Sequence, residues 1–423
     1  MEQLLKNKNI LVGVTASIAI YKTLELIRLY IKAGANVKVI MTPSSQKFIT
    51  PLTFETISQN EVLYEDSESW AGGINNHISI GKWAHLFVLA PVTANTINKL
   101  SNGIADNLLL QTALAYPKVK LLSPAANTNM ILNPLTQASL KMLKLCNFTL
   151  VEPIEKELAC KDIGVGAMAN IEDIFNLSIK ELLKDDYWNN RKVVLNGGST
   201  IEKIDDVRYI SNFSSGKMAT ALATALYYRG ADVCMVCGEN SIIPDIKDIH
   251  IIKVQNAKEM YEYVIDCIRV AKKGKLTNAT LMDDSKIKHI KKKPFFFGVA
   301  AVSDYTIKYP QDGKIKKTDI GDNWSLDLKK NIDILDSLDK TDIYTIGFKA
   351  EMDKENAKQN ALNMLAKKKL DAVCLNILDE NNNFGSSANT IKLLSKDNEI
   401  NLSGNKLYVA LKILDTLQGN IVE

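Results

Sequence analysis

A chain of 423 residues is longer than one ordinary core can serve, so two or three domains are expected. Its 52 Lys and Arg against 48 Asp and Glu leave a net charge of only +4, which gives no electrostatic case for nucleic acid as a partner. The opening MEQLLKNKNILVGV runs straight into a strand-like stretch and fits neither a signal peptide nor a membrane span, so a cytoplasmic protein with no membrane partner is expected. Six cysteines, Cys146, Cys160, Cys234, Cys237, Cys267 and Cys374, form no disulfide-like framework. Cys234 and Cys237 make a C-x-x-C inside the strand-like ADVCMVCG, where residues three apart point to opposite faces.

Asn9 to Val14 reads as a strand, followed by a helix with Ile20, Leu24, Ile27 and Ile31 on one face, and then a strand from Asn36 to Met41. This is a βαβ unit with a parallel sheet. Its turn GVTASIA lacks G-x-G-x-x-G and so argues against a dinucleotide, but Thr15 and Ser17 beside free helix N–H groups suit one phosphate. Strands from His85 to Ala90 and from Val119 to Leu122 run into APVTANT and SPAANTNM. In an open parallel sheet these small polar turns gather with the first around one crevice. Asp106 and Asn107 in ADNLL suit either ring binding or helix capping.

GVTASIAIYK, MTPSSQKFITPLTFETIS, NHISIGKWAHLFVLAPVTANTINKLSNGIADNLL and SPAANTNM, in this order, resemble the flavin-dependent cysteine decarboxylases, which include phosphopantothenoylcysteine decarboxylase. The resemblance implies a flavodoxin-like domain over residues 1–188. It implies FMN at the strand-end turns, with Gly13, Thr15, Ser17, Thr42, Pro91, Thr93, Asn95 and Asp106 as its contacts. His77 aligns with an active-site histidine, Asn127 with an asparagine that meets the substrate carboxylate, and Cys160 with a flap cysteine. The flap LACKDIGVGAMA departs from the family: Lys161 stands for a glycine and Ala167 for an arginine, while Asp162, Gly164, Gly166 and Met168 keep the frame. Ala126 replaces a customary methionine. In the implied mechanism the thiol is oxidised to a thioaldehyde so that CO₂ can leave, and the flavin is recycled. A thiol with an ordinary pKa near about 8.5 is protonated at neutral pH, and Cys160 is the candidate acid. The family's sites form between subunits, which implies a homo-oligomer built on trimers, a dodecamer being one such assembly.

Residues 171–190 read as a helix running into KDDYWNN, a polar linker, after which the strand–turn–helix plan restarts. KVVLNGGST is a strand and glycine turn. VRYISNFSSGKMA then sets Arg208, Asn212, Ser214, Ser215, Gly216 and Lys217 immediately before a helix from Lys217 to Arg229. Small residues let backbone N–H groups approach an anion at the positive helix end, and Arg208 or Lys217 can add full charge. Further strands are read at Phe295 to Ala300, Ile343 to Phe348 and Asp371 to Leu375, with a strand pair around Ile391 to Leu402 and a last helix. Residues 272–293 are lysine-rich and read as a solvated surface insertion. DGKIKK concentrates the charge a triphosphate needs, with Lys314 and Lys316 on one side of extended chain and Lys317 on the other.

VRYISNFSSGKM, AAVSDY, KIKK and GFKAE resemble phosphopantothenate–cysteine ligase, and the two halves together resemble the bifunctional bacterial enzyme. The fold class implied is α/β, two doubly wound, mostly parallel-sheet domains, with a Rossmann-like ligase domain over residues 189–423. Implied substrates are 4′-phosphopantothenate, cysteine and CTP, joined through an acyl-cytidylate with Mg²⁺ assisting, the metal ligands being unknown. Asn212 aligns with an intermediate-handling asparagine, Asp304 with a cytidine-site aspartate, and Lys314, beside Lys316, with a phosphate-site lysine. Ser214, Ser215, Gly216, Lys217, Gly298, Val299, Ala300, Ile332, Asp333, Ile334, Leu335, Phe348 and Lys368 complete the implied nucleotide and phosphate contacts. Ile201 and Ile332 stand where the family often has arginine and proline. The altered flap leaves a second reading, a flavoprotein carrier without turnover. A prenyltransferase-like protein is disfavoured by His77, Asn127 and Cys160 together with the attached ligase half.

Overall fold

The structure is a computed structural model. It describes all residues except 1–2, 72, 74, 159–160, 162, 277–280, 282–287, 317–320, 322, 379–384 and 421–423. Two compact units form, one from Met1–Leu183 with Thr277–Lys288 and one from Lys184–Leu276 with His289–Glu423. Among the described residues no helix is long and apolar enough to cross a membrane.

In the first unit, β1 (Asn9–Val14), β2 (Asn36–Met41), β3 (Leu86–Val92), β4 (Lys120–Pro124) and β5 (Phe148–Leu150) make an all-parallel sheet in the order β2-β1-β3-β4-β5. This is the flavodoxin-like order expected from the sequence, and it reverses between β1 and β3. β1 and β3 read NILVGV and LFVLAPV because nearly every position is buried, so no polar face alternates with the apolar one. Helix α1 (Ile20–Lys32) connects β1 to β2 and buries Ile20, Leu26, Ile27 and Tyr30 against the sheet. After β5 the chain makes an antiparallel hairpin of β6 (Ile154–Glu157) and β7 (Ile163–Ala167).

The second unit starts earlier than the motifs suggest. The helix Ile171–Leu183 stops before KDDYWNN, and that stretch, expected as a polar linker, belongs to the second core. Trp188 is fully buried with its ring 4.8 Å from that of Phe295, and Arg191 stacks 4.1 Å over the Tyr187 ring. An aromatic pair inside a polar run gains more from burial than a solvated linker allows.

Strands β8 (Lys192–Gly197), β9 (Ile201–Lys203), β10 (Tyr209–Ser211), β11 (Asp232–Gly238) and β12 (His250–Val254) follow in turn. The lysine-rich stretch is bounded by a short antiparallel pair, β13 (Lys275–Leu276) and β14 (His289–Ile290). Then come β15 (Phe295–Gly298), β16 (Tyr305–Ile307), β17 (Leu328–Lys330), β18 (Tyr344–Glu351), β19 (Ala372–Ile377), β20 (Ala388–Ser395) and β21 (Glu399–Asn405). Eight of these form one sheet in the order β12-β11-β8-β15-β18-β19-β20-β21. The first six are parallel and, counted along the chain, run 3-2-1-4-5-6, the Rossmann order, with the reversal between β8 and β15. β20 and β21 add antiparallel, as the expected C-terminal pair. Within the C-x-x-C, Cys237 is buried, and the sulfur of Cys234 lies 3.3 Å from that of Cys267 rather than near its motif partner.

Lys120, the first residue of β4, is buried with its ammonium 2.7 Å from the Tyr116 carbonyl and 4.8 Å over the Phe148 ring. Burial pulls its pKa down from 10.5 to about 8. Between these two values the unfolded chain holds a proton that the folded chain has lost, so this residue's contribution to stability rises with pH. The thermal midpoint of wild type minus that of Lys120→Met is therefore expected to increase from about pH 8 to about pH 10. Parallel pH profiles for the two proteins would show that the ammonium stays charged in the fold.

Candidate functional sites

The turns that follow β1, β2, β3 and β4 surround a cavity of about 1060 Å³ at the carboxyl edge of the first sheet. Small-molecule sites usually span about 300–1,000 Å³, so this cavity is at the upper end of that range. Thr15, Ser17, Thr42, Thr93, Asn95, Asp106 and Asn127 all line it. The Thr15 hydroxyl ties two of the turns together: it donates to the Pro91 carbonyl at 3.0 Å and accepts from the Thr93 N–H at 2.9 Å. Gly13 and Pro91 lie beneath the wall rather than in it. A Cβ on Gly13 would come within 2.9 Å of the Phe87 ring, and Pro91 contributes its backbone oxygen.

Asn107 resolves to a cap, its side chain accepting from the Leu110 N–H at 3.0 Å, while Asp106 pairs with Lys99 at 2.5 Å. Asn127 caps the helix Thr128–Leu132 through its side-chain oxygen, 2.9 Å from the Asn129 N–H. His77 opens the helix His77–Trp83 and does not line the cavity. Its Nδ1 lies 2.8 Å from Glu68, and Trp70 meets its ring edge-on at 5.5 Å. The β6–β7 hairpin closes one side of the cavity. Gly166 is required there, because a Cβ would sit 2.2 Å from the Ala126 carbonyl. Cys160 and Asp162 lie outside the described residues. Lys161 between them holds φ at 67°, a left-handed conformation that costs a non-glycine residue about 1 kcal/mol, at the position where the family has glycine.

The second crevice, about 390 Å³, sits where the larger sheet reverses, between the turns after β8 and β15. Asn212, Ser214, Ser215, Gly216, Lys217, Val299, Ala300 and Phe348 line it together. Gly216 holds φ at 75° as the N-cap of the helix Lys217–Tyr228, leaving the helix start open to a ligand. Asn212 donates to the Val302 carbonyl at 3.0 Å, and the Lys217 ammonium to the Gly385 carbonyl at 2.7 Å.

Other expected residues are not in this wall. Gly298 ends β15, packed against Leu335. Asp333 caps the turn Ile334–Ser337 and pairs with Lys368 at 2.6 Å, so these two spend their charge on each other. Ile332, Ile334 and Leu335 belong to the same segment, with Ile334 buried. Arg208 is not offered to an anion: it pairs with Asp205 at 2.8 Å and stacks 4.7 Å over Trp324. Asp304, Lys314 and Lys316 are exposed and outside the wall, and Lys317 lies outside the described residues.

The loop that carries Lys314 is held against the turn between β9 and β10. Asp206 accepts from the Gly313 N–H at 2.6 Å, Asp205 from the Ile315 N–H at 3.2 Å, and Arg208 donates to the Ile315 carbonyl at 2.6 Å. Sequence reasoning missed Asn196, whose side-chain oxygen accepts from both the Val299 and Ala300 N–H groups at 2.8 and 3.0 Å. It also missed Asn389 and Lys406 in the wall. Burial, then the charge of Lys217, lowers the pKa of Lys406. No local motif marks these positions, since strand pairing alone brings them to the crevice.

Residues 1–183 match the family model described as Flavoprotein, and residues 188–273 and 269–420 match the DNA/pantothenate metabolism flavoprotein C-terminal domain. The coenzyme A biosynthesis bifunctional protein CoaBC of Borreliella burgdorferi is 35% identical over 396 residues, covering 92% of this chain and 94% of that protein. The protein of the same name from Bacillus subtilis is 35% identical over 399 residues, covering 93% and 92%. A cysteine/cysteine sulfinic acid decarboxylase from an unknown prokaryotic organism is 36% identical over 360 residues, covering 83% of this chain and 93% of that protein. The chain belongs to the family of coenzyme A biosynthesis bifunctional proteins, a Flavoprotein domain followed by the DNA/pantothenate metabolism flavoprotein C-terminal domain.

Proposed function

We propose that the second unit joins 4′-phosphopantothenate to cysteine and the first unit decarboxylates the product to 4′-phosphopantetheine, two consecutive steps of coenzyme A biosynthesis. The observation that carries this reading is a pair of crevices, one at the reversal point of each sheet, each lined by residues of the motifs that resemble one of the two activities.

FMN fits the first crevice. Thr15 and Ser17 stand at the start of α1 where a phosphate is favoured, and the cavity is of a size for a nucleotide-scale ligand. When bound, FMN supplies a reversible two-electron sink. Asn127, at the cavity wall, is the residue that this reading sets against the substrate carboxylate. Glu68 only accepts, so it fixes the proton of a neutral His77 on Nδ1 and leaves Nε2 as the acceptor. Because His77 stands outside its own chain's cavity, the reading includes a homo-oligomer in which a second copy supplies it. A monomer in mass photometry at working concentration would refute that assembly.

In the second crevice the poor electrophile is a carboxylate, and attaching a nucleotide gives it a phosphate-type leaving group. Lys217 and Lys406 line the wall, so positive charge concentrates where a triphosphate must be neutralised, and the reading adds Lys314 from its clamped loop as a phosphate contact. CTP is the nucleotide in this reading. In this reading Mg²⁺ on the triphosphate assists the departing pyrophosphate. The relative that acts on cysteine and cysteine sulfinic acid favours a second reading, in which the first unit decarboxylates free cysteine.

Purified protein is expected to be yellow and to release CO₂ from 4′-phosphopantothenoylcysteine but not from cysteine. Colour without CO₂ would mean a carrier, and release from free cysteine would establish the second reading. Cys160→Ser should release CO₂ yet lose final product, by roughly 10² to 10⁴ in rate; unchanged 4′-phosphopantetheine formation would remove Cys160 from the acid role. In single turnover with labelled CTP, Asn212→Asp should accumulate the acyl-cytidylate and block the amide, whereas Lys314→Gln should slow pyrophosphate release. Wild-type rates in either variant would refute the corresponding role.

A further inference from the structure

The first cavity carries two cations that neither reading uses. Lys22 sits in the first turn of α1, a helix start with no acidic residue in that turn and no side-chain cap, where the helix dipole already disfavours positive charge. Lys156, on β6, lines the same cavity. Among the described residues that line it, the charged side chains are Lys22, Lys99 and Lys156 against Asp106 and Glu157, and Lys99 holds Asp106 at 2.5 Å. That leaves Lys22 and Lys156 facing one carboxylate, Glu157. Burial, and after it the charge of Lys156, lowers the pKa of Lys22, so the two ammonium groups work against each other in the bare protein.

Like charges gathered on a concave wall beside a positive helix end are relieved by an anion. Ala167, on β7 of the same hairpin, lines the cavity and brings no charge, so among the described lining residues the hairpin's cation is Lys156.

We propose that Lys22 and Lys156 form a subsite for a phosphate monoester in the first cavity, either the phosphate of the acyl-cysteine substrate or that of the flavin nucleotide. The inference rests on the flavin-dependent decarboxylase reading and names the part of its ligands that these lysines hold. A dianionic monoester matches two ammonium groups, and contacts to charged groups weigh more than neutral ones. Lysine is suited to the task as a mobile point charge on a long stem.

The test uses the full chain as wild type, Lys22→Ala, Lys156→Ala and Lys156→Arg. Two ratios are measured: the dissociation constants of FMN against riboflavin for flavin-stripped protein, and the KM of phosphorylated against dephosphorylated pantothenoylcysteine for CO₂ release. If the substrate's phosphate is held, the alanine variants lose preference for the phosphorylated substrate by at least about tenfold, the scale of one charged contact. If the flavin's phosphate is held, the preference for FMN over riboflavin falls instead. In either case Lys156→Arg restores the ratio, which a merely misfolded hairpin would not do. A wild type that binds flavin and releases CO₂, with both ratios unchanged in both alanine variants, overturns the subsite alone. A wild type that neither binds flavin nor releases CO₂ overturns the decarboxylase reading and the subsite with it.

Discussion

Both crevices depend on one arrangement, a side chain on the first strand of each unit that holds the turn beyond the neighbouring strand. In the first unit the Thr15 hydroxyl bonds Pro91 and Thr93, so the turns after β1 and β3 cannot separate. In the second, the Asn196 side chain at the end of β8 accepts from Val299 and Ala300 beyond β15. Each tether stands where the strand order reverses, the place at which helices leave in opposite directions and a parallel sheet opens a cleft. Without these tethers the Thr93 N–H in the first unit and the Val299 and Ala300 N–H groups in the second would need another partner, and the rim would lose its shape along with the bonds.

The fold was largely readable because parallel strands buried on both faces appear as short, unbroken apolar runs, and NILVGV, LFVLAPV and KVVLNG are of that kind. The strand-end turns were readable for a related reason, since small polar residues after such a run have few other uses. Composition misled at KDDYWNN, where five polar residues concealed a buried tryptophan. It also could not tell a cation that meets a ligand from one that meets the protein. Arg208 looked like an anion contact and instead pairs with Asp205 and stacks on Trp324. Lys406 and Asn389 had no local signature at all, because the antiparallel strands β20 and β21 fold them back to a crevice built by residues about 190 positions earlier.

Close approach of backbone to backbone sets the limits on variation around the first site. The Ala126 N–H donates to the Gly166 carbonyl at 3.0 Å, joining the turn after β4 to the hairpin, and no larger residue than glycine fits at 166. At 161 the chain accepts a lysine in left-handed backbone, where glycine would rest without strain. The two positions differ in what opposes a side chain. At 166 it is a fixed carbonyl, which cannot move without breaking the rim. At 161 it is local torsional strain of about 1 kcal/mol, small enough for the rest of the fold to absorb.

The same distinction between fixed and adjustable parts separates the two cation sets of the second unit. Lys217 is fixed at a helix start and Lys406 by its bond to the Ala388 carbonyl at 3.2 Å, so both belong to the crevice whatever is bound. Lys314 rides on a loop whose backbone, rather than whose lysine, is gripped by Asp205, Asp206 and Arg208. Gripping the backbone on either side of Lys314 fixes where its Cα sits and leaves four rotatable side-chain bonds free to move. Under the proposed ligase reading, that freedom suits a charge that must meet first a bound triphosphate and then a leaving pyrophosphate, where an arginine fork would favour one geometry.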